Sequence, residues 1–386
     1  MNEDVKVAIV STVQPETNYT RCLYKGLLGS GRKVRLWIDN CRENVGYAKK
    51  EEGGKITVFW KNNMSFPFLI LRQARKEKVD VIHFQHEFNM YGRLLGLFIF
   101  PLAILLLKIF GKKIIVTIHA IPSIKEIDND FLKMMKIKGS PWVVKIGFRI
   151  FFGLVWKFSN MIIVHSNYTR GVCEGEYGMK ERTKVVTIGI EVRKNKKFRS
   201  HLILFFGYVL ERKGLDELIV AFNDHLKVDP KAKLIIAGGV LGDYEDYMEH
   251  LKQLVKKLKI KDKVIFTGFL SQNKIVDLYQ KANFLVFPYT RSISSSLPLS
   301  IALGFGKAVV VAKIGTLSEE IEDGISGLYC EPGQVESILR TMNRLVLEKG
   351  LREKLESGAL EMAKRRSWKL VAERTFDIYQ KVLRND

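Results

Sequence analysis

The sequence predicts an α/β protein of two doubly wound, Rossmann-like domains with parallel sheets, and three observations predict it. Thirteen short, β-branched runs alternate with longer amphipathic stretches, the pattern of strands joined by crossover helices. The alternation stops once, in the basic run RKNKKFRSH around Lys194, and then restarts. The chain of 386 residues, 47% hydrophobic and 27% charged, holds enough apolar material for two cores.

The first half places strands at Val5–Val10, Val34–Ile38, Ile56–Phe59, Val79–Phe84, Lys113–Ile118, Met161–His165 and Lys184–Thr187. Stretches such as LLGSGRKVRLW read as a helix end stopped by Gly29 and Gly31 and followed by the next strand. The basic run lacks apolar periodicity and reads as a linker, which puts the first domain at 1–197 and the second at 198–367. In the second half the strands fall at Leu202–Phe206, Lys233–Ala237, Val264–Thr267, Phe284–Phe287, Ala308–Ala312 and Gly327–Cys330. A final amphipathic helix near Trp368–Leu383 is expected to carry residues 368–386 back onto the first domain.

Charge narrows the partners. A formal net charge of +22 favours nucleic acid, acidic lipid headgroups or phosphorylated small molecules. No helix-turn-helix, zinc-finger or RNA-binding signature is present, so nucleic acid is set aside. Cys22, Cys41, Cys173 and Cys330 have no paired spacing, which argues against a disulfide framework or a zinc site and fits a reducing, cytoplasmic setting. The opening MNEDVKVAIVST carries acids where a signal peptide needs bases, and reads as a first strand. Leu94–Leu107 is apolar, but it runs for only fourteen residues and contains Pro101, where a membrane span needs about twenty.

Chemistry concentrates in the second half. Leu202–Gly214, LILFFGYVLERKG, is a buried strand, then a turn bearing Arg212, Lys213 and Gly214, then a helix. Parallel sheets bind ligands at such turns, and two fixed cations there suit a diphosphate. Another strand ends at Phe287-Pro288, and a loop with Ser292, Ser294, Ser295 and Ser296 leads into a helix near Leu297–Phe305. Hydroxyls and unpaired N–H groups at a helix start make an anion site, and serine there equally caps a helix with no ligand at all.

In sequence order, FGYVLERKG, KLIIAGG, KVIFTGFLSQNKIVDLYQKANFLVFPYT and ALGFGKAVVVAKIGTLSEEIEDGISGLYCEPG resemble the donor half of family 4, group 1 glycosyltransferases of the GT-B fold. DVIHFQHEFNMYG, KKIIVTIHA and MIIVHSNYTRGV resemble the first half of the same family. The resemblance implies two Rossmann-like domains facing a central cleft and transfer from a nucleoside-diphosphate sugar. It also implies retention of configuration, with neither metal nor further cofactor required. Lys213 matches the lysine that binds the donor diphosphate, assisted by Arg212, in the turn after Gly207; Tyr208 stands where the family's arginine is usual. Ser295, Ser296 and Leu297 match the helix start that receives the distal phosphate. Gly268, Phe269 and Leu270 match the loop that contacts the base, Glu319 matches a recurrent glutamate, and His119 matches a histidine facing the reacting sugar. Gln85, His86 and Glu87, after the strand DVIHF, are expected on the acceptor side.

One departure stands out. The family's two glutamates, eight positions apart, are replaced here by Ile293 and Ile301. A catalytically silent GT-B protein that binds a nucleotide or a partner is therefore the alternative reading. Asp128-Asn129-Asp130 looks like the metal motif of a different glycosyltransferase fold and is read as a chance match.

Between Pro101 and Phe158 ten Lys and Arg face three acids, interleaved with aromatic residues. Such a surface suits an anionic bilayer, and in this family it accompanies lipid-linked or membrane-surface acceptors. The expected setting is peripheral, on the inner face of the cell membrane. For a single helix such as PWVVKIGFRIFFGLVWKF, a core helix with a basic solvent face is the competing reading.

Overall fold

The structure, a computed structural model, describes residues 5–12, 19–41, 44, 48, 55–61, 63–87, 90–91, 93–194, 200–240 and 244–384. Contacts divide the chain into two units: one runs to Gly189 and takes up the chain again from Trp368, the other is Ile190–Ser367.

In the first unit β1 (Val7–Ser11), β2 (Val34–Asp39), β3 (Lys55–Trp60), β4 (Val81–His86), β5 (Lys113–Ile118), β6 (Met161–Val164) and β7 (Thr183–Val185) form one sheet. Its order is β3-β2-β1-β4-β5-β6-β7, and every pairing is parallel. The second unit holds β8 (Leu202–Phe206), β9 (Lys233–Ala237), β10 (Val264–Phe266), β11 (Phe284–Phe287), β12 (Val309–Ala312) and β13 (Leu328–Cys330). Their order is β10-β9-β8-β11-β12-β13, again all parallel. All thirteen strands lie within two residues of the positions read from the sequence. Covered on both faces, the central strands are continuous apolar runs such as VAIV and VVVA.

The changeover between units falls after Gly189, where the sequence places it after residue 197. Ile190 N–H donates to Arg366 O at 2.7 Å and Arg193 N–H to Gly304 O at 2.8 Å, so residues 190–193 belong to the second unit and the basic run opens within it. Residues 195–199 of that run lie outside the described residues. The last helix, Trp368–Arg384, packs on Tyr19–Gly29 of the first unit, with the Tyr19 and Trp368 rings 5.2 Å apart.

Strand order positions the site. In each sheet the order reverses beside a central strand, between β1 and β4 in one and between β8 and β11 in the other. Ligands of open α/β sheets bind outside the carboxyl ends of the strands at that reversal. In the second unit the loops there are 207–214 and 288–296.

Candidate functional site

The turn after β8 is built around Gly214. Its φ is +66°, and an added Cβ would lie 2.0 Å from Pro288 O, so only glycine lets the two loops touch. The N–H groups of Thr290 and Arg291 both donate to Arg212 O, at 3.1 and 3.4 Å. Lys213 is half-buried, with Nζ 3.6 Å from the centre of the Tyr289 ring, a cation–π contact. Burial and then the Arg212 guanidinium push its pKa well below the usual lysine range, and Glu320 pulls it back.

Tyr289 leads to the helix start. Its Oη lies 3.2 Å from Ser296 Oγ, and Ser296 Oγ accepts from Leu299 N–H at 3.4 Å, so Ser296 caps the helix Leu297–Gly304. Ser296 N–H donates to Glu320 Oε1 at 2.8 Å. Pro298 has no N–H, which leaves Leu297 as the first-turn donor not drawn into these bonds. The serine loop is tied down elsewhere as well: Ser292 Oγ lies 2.9 Å from Thr316 Oγ1, which donates to Ser294 O at 2.8 Å. Ser296 and Ser292 are thus held in structural bonds, and the helix start lies beside the Tyr289 ring that Lys213 contacts.

Glu320 is the residue that sequence reasoning missed. Glu319, the expected glutamate, is exposed, whereas Glu320 is 2% exposed. Burial raises the Glu320 pKa; Arg366 foremost, then the Ser296 and Ser295 bonds and Lys213, oppose the rise. The adjacent Glu-Glu pair offered a signal, but only the 3-10 turn Gly315–Glu319 decides which of the two faces inward. Ile293 is buried and Ile301 packs on the core, so neither supplies a polar group.

A second cluster forms at the ends of β8, β9 and β10. Gly207 N–H donates to Ala237 O at 3.0 Å and Val209 N–H to Gly239 O at 3.1 Å. Gly239 lies against the Phe269 ring, which a Cβ there would meet at 2.2 Å. Phe269 is 68% and Tyr208 41% exposed, with ring centres 6.3 Å apart. Gly268 pairs with Gly238, and Leu270 packs on the core. Two aromatic rings beside glycine backbone form a surface on which a planar base can stack.

In the first unit His119 directly follows β5, and both its ring nitrogens are engaged. Nε2 is 2.9 Å from Gln85 Oε1 and Nδ1 is 3.0 Å from His165 Nε2. Gln85 is fully buried, and His86 is buried among the Tyr91, Phe100, Phe151 and Phe152 rings. This corrects the expected acceptor-side trio, of which only Glu87 is exposed. The reason is that β4 is a central strand covered on both faces. Asp128 caps the helix Asn129–Met134 by accepting from Phe131 N–H at 2.7 Å, which accounts for the Asp-Asn-Asp sequence. Among the described residues no group of three or more His, Cys, Asp or Glu is placed to hold a metal ion.

Two family models match in tandem: Glycosyltransferase Family 4 over residues 17–194 and Glycosyl transferases group 1 over residues 190–362. An uncharacterized glycosyltransferase of Methanocaldococcus jannaschii is 32% identical over 180 residues, 46% of this chain and 44% of that protein. Alpha-monoglucosyldiacylglycerol synthase of Streptococcus pneumoniae is 28% identical over 275 residues, 67% of this chain and 57% of that protein. The chain thus spans about half the length of these curated relatives. Among solved structures, Anabaena HepE in complex with UDP and glucose superposes with a TM-score of 0.76 at 16% identity, over 98% of this chain and all of that one. At that identity the likeness shows the fold, which is GT-B.

Proposed function

The chain belongs to the family 4, group 1 glycosyltransferases, and from that premise we propose that it moves a hexose from a nucleoside-diphosphate sugar to a lipid-linked or glycan acceptor at the cytoplasmic membrane face. One observation carries the reading: Lys213, the Arg212 turn and the start of the helix Leu297–Gly304 meet at the sheet's reversal point. Negative charge grows there on a departing diphosphate, and fixed cations and N–H groups stabilise it. Phe269 and Tyr208 take the base. Lys213 and the helix start supply the neutralisation a metal provides elsewhere, and transfer proceeds with retention.

The acceptor side rests on the surface of the first unit. Helices Phe66–Lys76, Arg93–Ile109 and Pro141–Phe158 pack side by side. They expose Phe68 (65%), Phe98 (76%), Trp142 (69%) and Ile150 (59%), with Arg149 and Lys157 also exposed. Apolar rings set among cations fit an anionic bilayer. Among the described residues no helix is long and apolar enough to cross a membrane, and lying on the surface requires none. The pneumococcal relative, named as a glucosyldiacylglycerol synthase, supports a lipid acceptor.

The test is thermal-shift screening against UDP-, GDP- and ADP-hexoses, followed by transfer assays with the stabilising donor. Stabilisation by one base class, abolished in Lys213→Ala, is expected. Stabilisation with no turnover on any acceptor favours the silent reading that Ile293 and Ile301 raise.

A further inference from the structure

A continuous hydrogen-bonded chain of side chains crosses the core of the first unit. His165 Nδ1 lies 2.8 Å from Val186 O, and His165 Nε2 lies 3.0 Å from His119 Nδ1. His119 Nε2 is 2.9 Å from Gln85 Oε1, and Gln85 Nε2 is 3.1 Å from His83 Nε2. His83 then reaches Thr117 Oγ1 at 2.7 Å and, through Nδ1, Tyr379 Oη at 2.8 Å. His83, Gln85 and Thr117 are fully buried and His165 is 5% exposed, while His119 is half-buried and is the member that reaches the surface.

Donor and acceptor counting gives this chain two states. A carbonyl only accepts, so His165 Nδ1 carries a proton. With Gln85 Oε1 facing His119, Nε2 of His119 must donate. Only one proton can lie between the two rings, so one of them is then an imidazolium, whichever way that bond runs. If the Gln85 amide makes a half-turn, its NH₂ donates to His119 Nε2 and its oxygen accepts from His83 Nε2–H. Tyr379 O–H then donates to His83 Nδ1, and every ring is neutral. Gln85, with one donor end and one acceptor end, must exchange its nitrogen and oxygen between the two states, while His83 and the Tyr379 hydroxyl only move protons.

We propose that Gln85 is a positioning residue whose amide orientation is locked to the proton count of the His119–His165 pair, with nitrogen toward His119 when the pair is neutral and oxygen toward it when the pair holds an extra proton. The titratable groups facing the pair are Tyr19, 4.9 Å from the His119 ring and 4.8 Å from the His165 ring, and His83 and His86 from β4. Tyr379 from the last helix faces it through His83. None is an anion near neutral pH, and burial, with the neighbouring histidines, lowers the His119 pKa well below its usual value. With no anion facing it, the buried pair rests neutral, which requires the Gln85 amide turned by half from the orientation in which Oε1 faces His119. A sugar hydroxyl that takes His119 Nε2 must displace the Gln85 amide. That consequence for transfer rests on the glycosyltransferase reading; the proton count does not.

The test is ring-nitrogen NMR on the ¹⁵N-histidine-labelled full chain between pH 5 and 8. In the wild type His119 is expected to remain neutral, with its proton on Nδ1. Gln85→Glu offers acceptors only, and is expected to charge the pair and raise its titration midpoint by about one unit or more. Gln85→Met keeps the volume without the amide. It is expected to move the His119 Nε2 resonance toward that of a free lone pair, and it decides the matter should the buried carboxylate prevent folding. Titrations and ring-nitrogen shifts matching wild type in the variants that fold would overturn the proposal. If the protein proves active, Gln85→Met is expected to lower kcat about tenfold with donor KM nearly unchanged. A variant that alters KM alone would also overturn the positioning role. An inactive protein with the expected spectra removes the transferase reading and leaves the proposal standing.

Discussion

Glu320 accepts a hydrogen bond from the Ser296 N–H at 2.8 Å, so a carboxylate of the chain itself occupies the N–H that the proposed reading assigns to an incoming phosphate oxygen. The Ser296 N–H is thereby satisfied before any ligand arrives. Glu320→Gln keeps a hydrogen-bond acceptor at that N–H and removes the charge that competes with a diphosphate. Calorimetry is expected to show nucleoside-diphosphate affinity rising about three- to tenfold, the effect of one charge at moderate screening. Weaker binding would mean that the carboxylate instead holds Lys213 in place.

Lys213 gives a second prediction. Its pKa is depressed by burial and then by Arg212, with Glu320 opposing, and on the proposed reading an arriving diphosphate adds further counter-charge. Binding therefore takes up a proton, so affinity rises as pH falls across the lysine's titration. Calorimetry in buffers of different ionisation enthalpy measures that uptake directly. Lys213→Ala is expected to abolish the uptake and weaken binding by about 2–3 kcal/mol, as for a charged hydrogen bond lost. An unchanged affinity would remove Lys213 from the site.

His83 and His86 are buried, and burial lowers both pKa values to about 3, with a smaller contribution from His165 for His83. The unfolded chain binds protons at these rings from about pH 6.5 downward, while the folded chain does not until about pH 3. Their contribution to stability is complete above pH 6.5 and falls between those limits, each with a limiting slope of about 1.4 kcal/mol per pH unit. Urea denaturation at pH 7, 6 and 5 is expected to show that decline, flattened in His86→Phe. A pH-independent midpoint over this range would contradict it.

Lys307, in the run ALGFGK, has a structural role. Its Nζ donates to Gln280 O at 2.7 Å and to Ala282 O at 2.9 Å, closing the end of the helix Gln272–Lys281. Lys307→Met leaves both carbonyls unmet and is expected to cost about 2–3 kcal/mol of stability, read as a lowered denaturation midpoint. Nucleotide affinity at a temperature where the variant is folded should stay the same.

The membrane surface is tested by co-flotation with phosphatidylglycerol vesicles. Trp142→Ser with Ile150→Ser is expected to weaken binding at least tenfold, since each removes an exposed apolar side chain that would otherwise leave water. Binding should also fall with salt. No flotation of the wild type at low salt would end the membrane reading.

The strands were legible because buried parallel strands must be apolar throughout, as in VAIV at β1 and LILFF at β8. The turn of Arg212, Lys213 and Gly214 was legible for a similar reason, since a glycine between a strand and a helix marks a backbone that must come close to another. Local pattern could not show that the first changeover falls at Gly189. That boundary depends on the bonds of Ile190 and Arg193 to residues far along the chain.

By itself the sequence determined the two parallel sheets, their strand positions and the lysine-bearing turn, because each follows from periodicity over a few neighbouring residues. Only the tertiary structure decided that Glu320 rather than Glu319 meets the helix start, and that Gln85 and His86 lie inside rather than on the acceptor side. It also decided that six side chains, from β4, from β5 and β6 or the residues just after them, and from the last helix, share one hydrogen-bonded chain. Those outcomes rest on which side of an element a residue faces once distant segments have packed against it, and adjacent letters in a sequence carry no record of that.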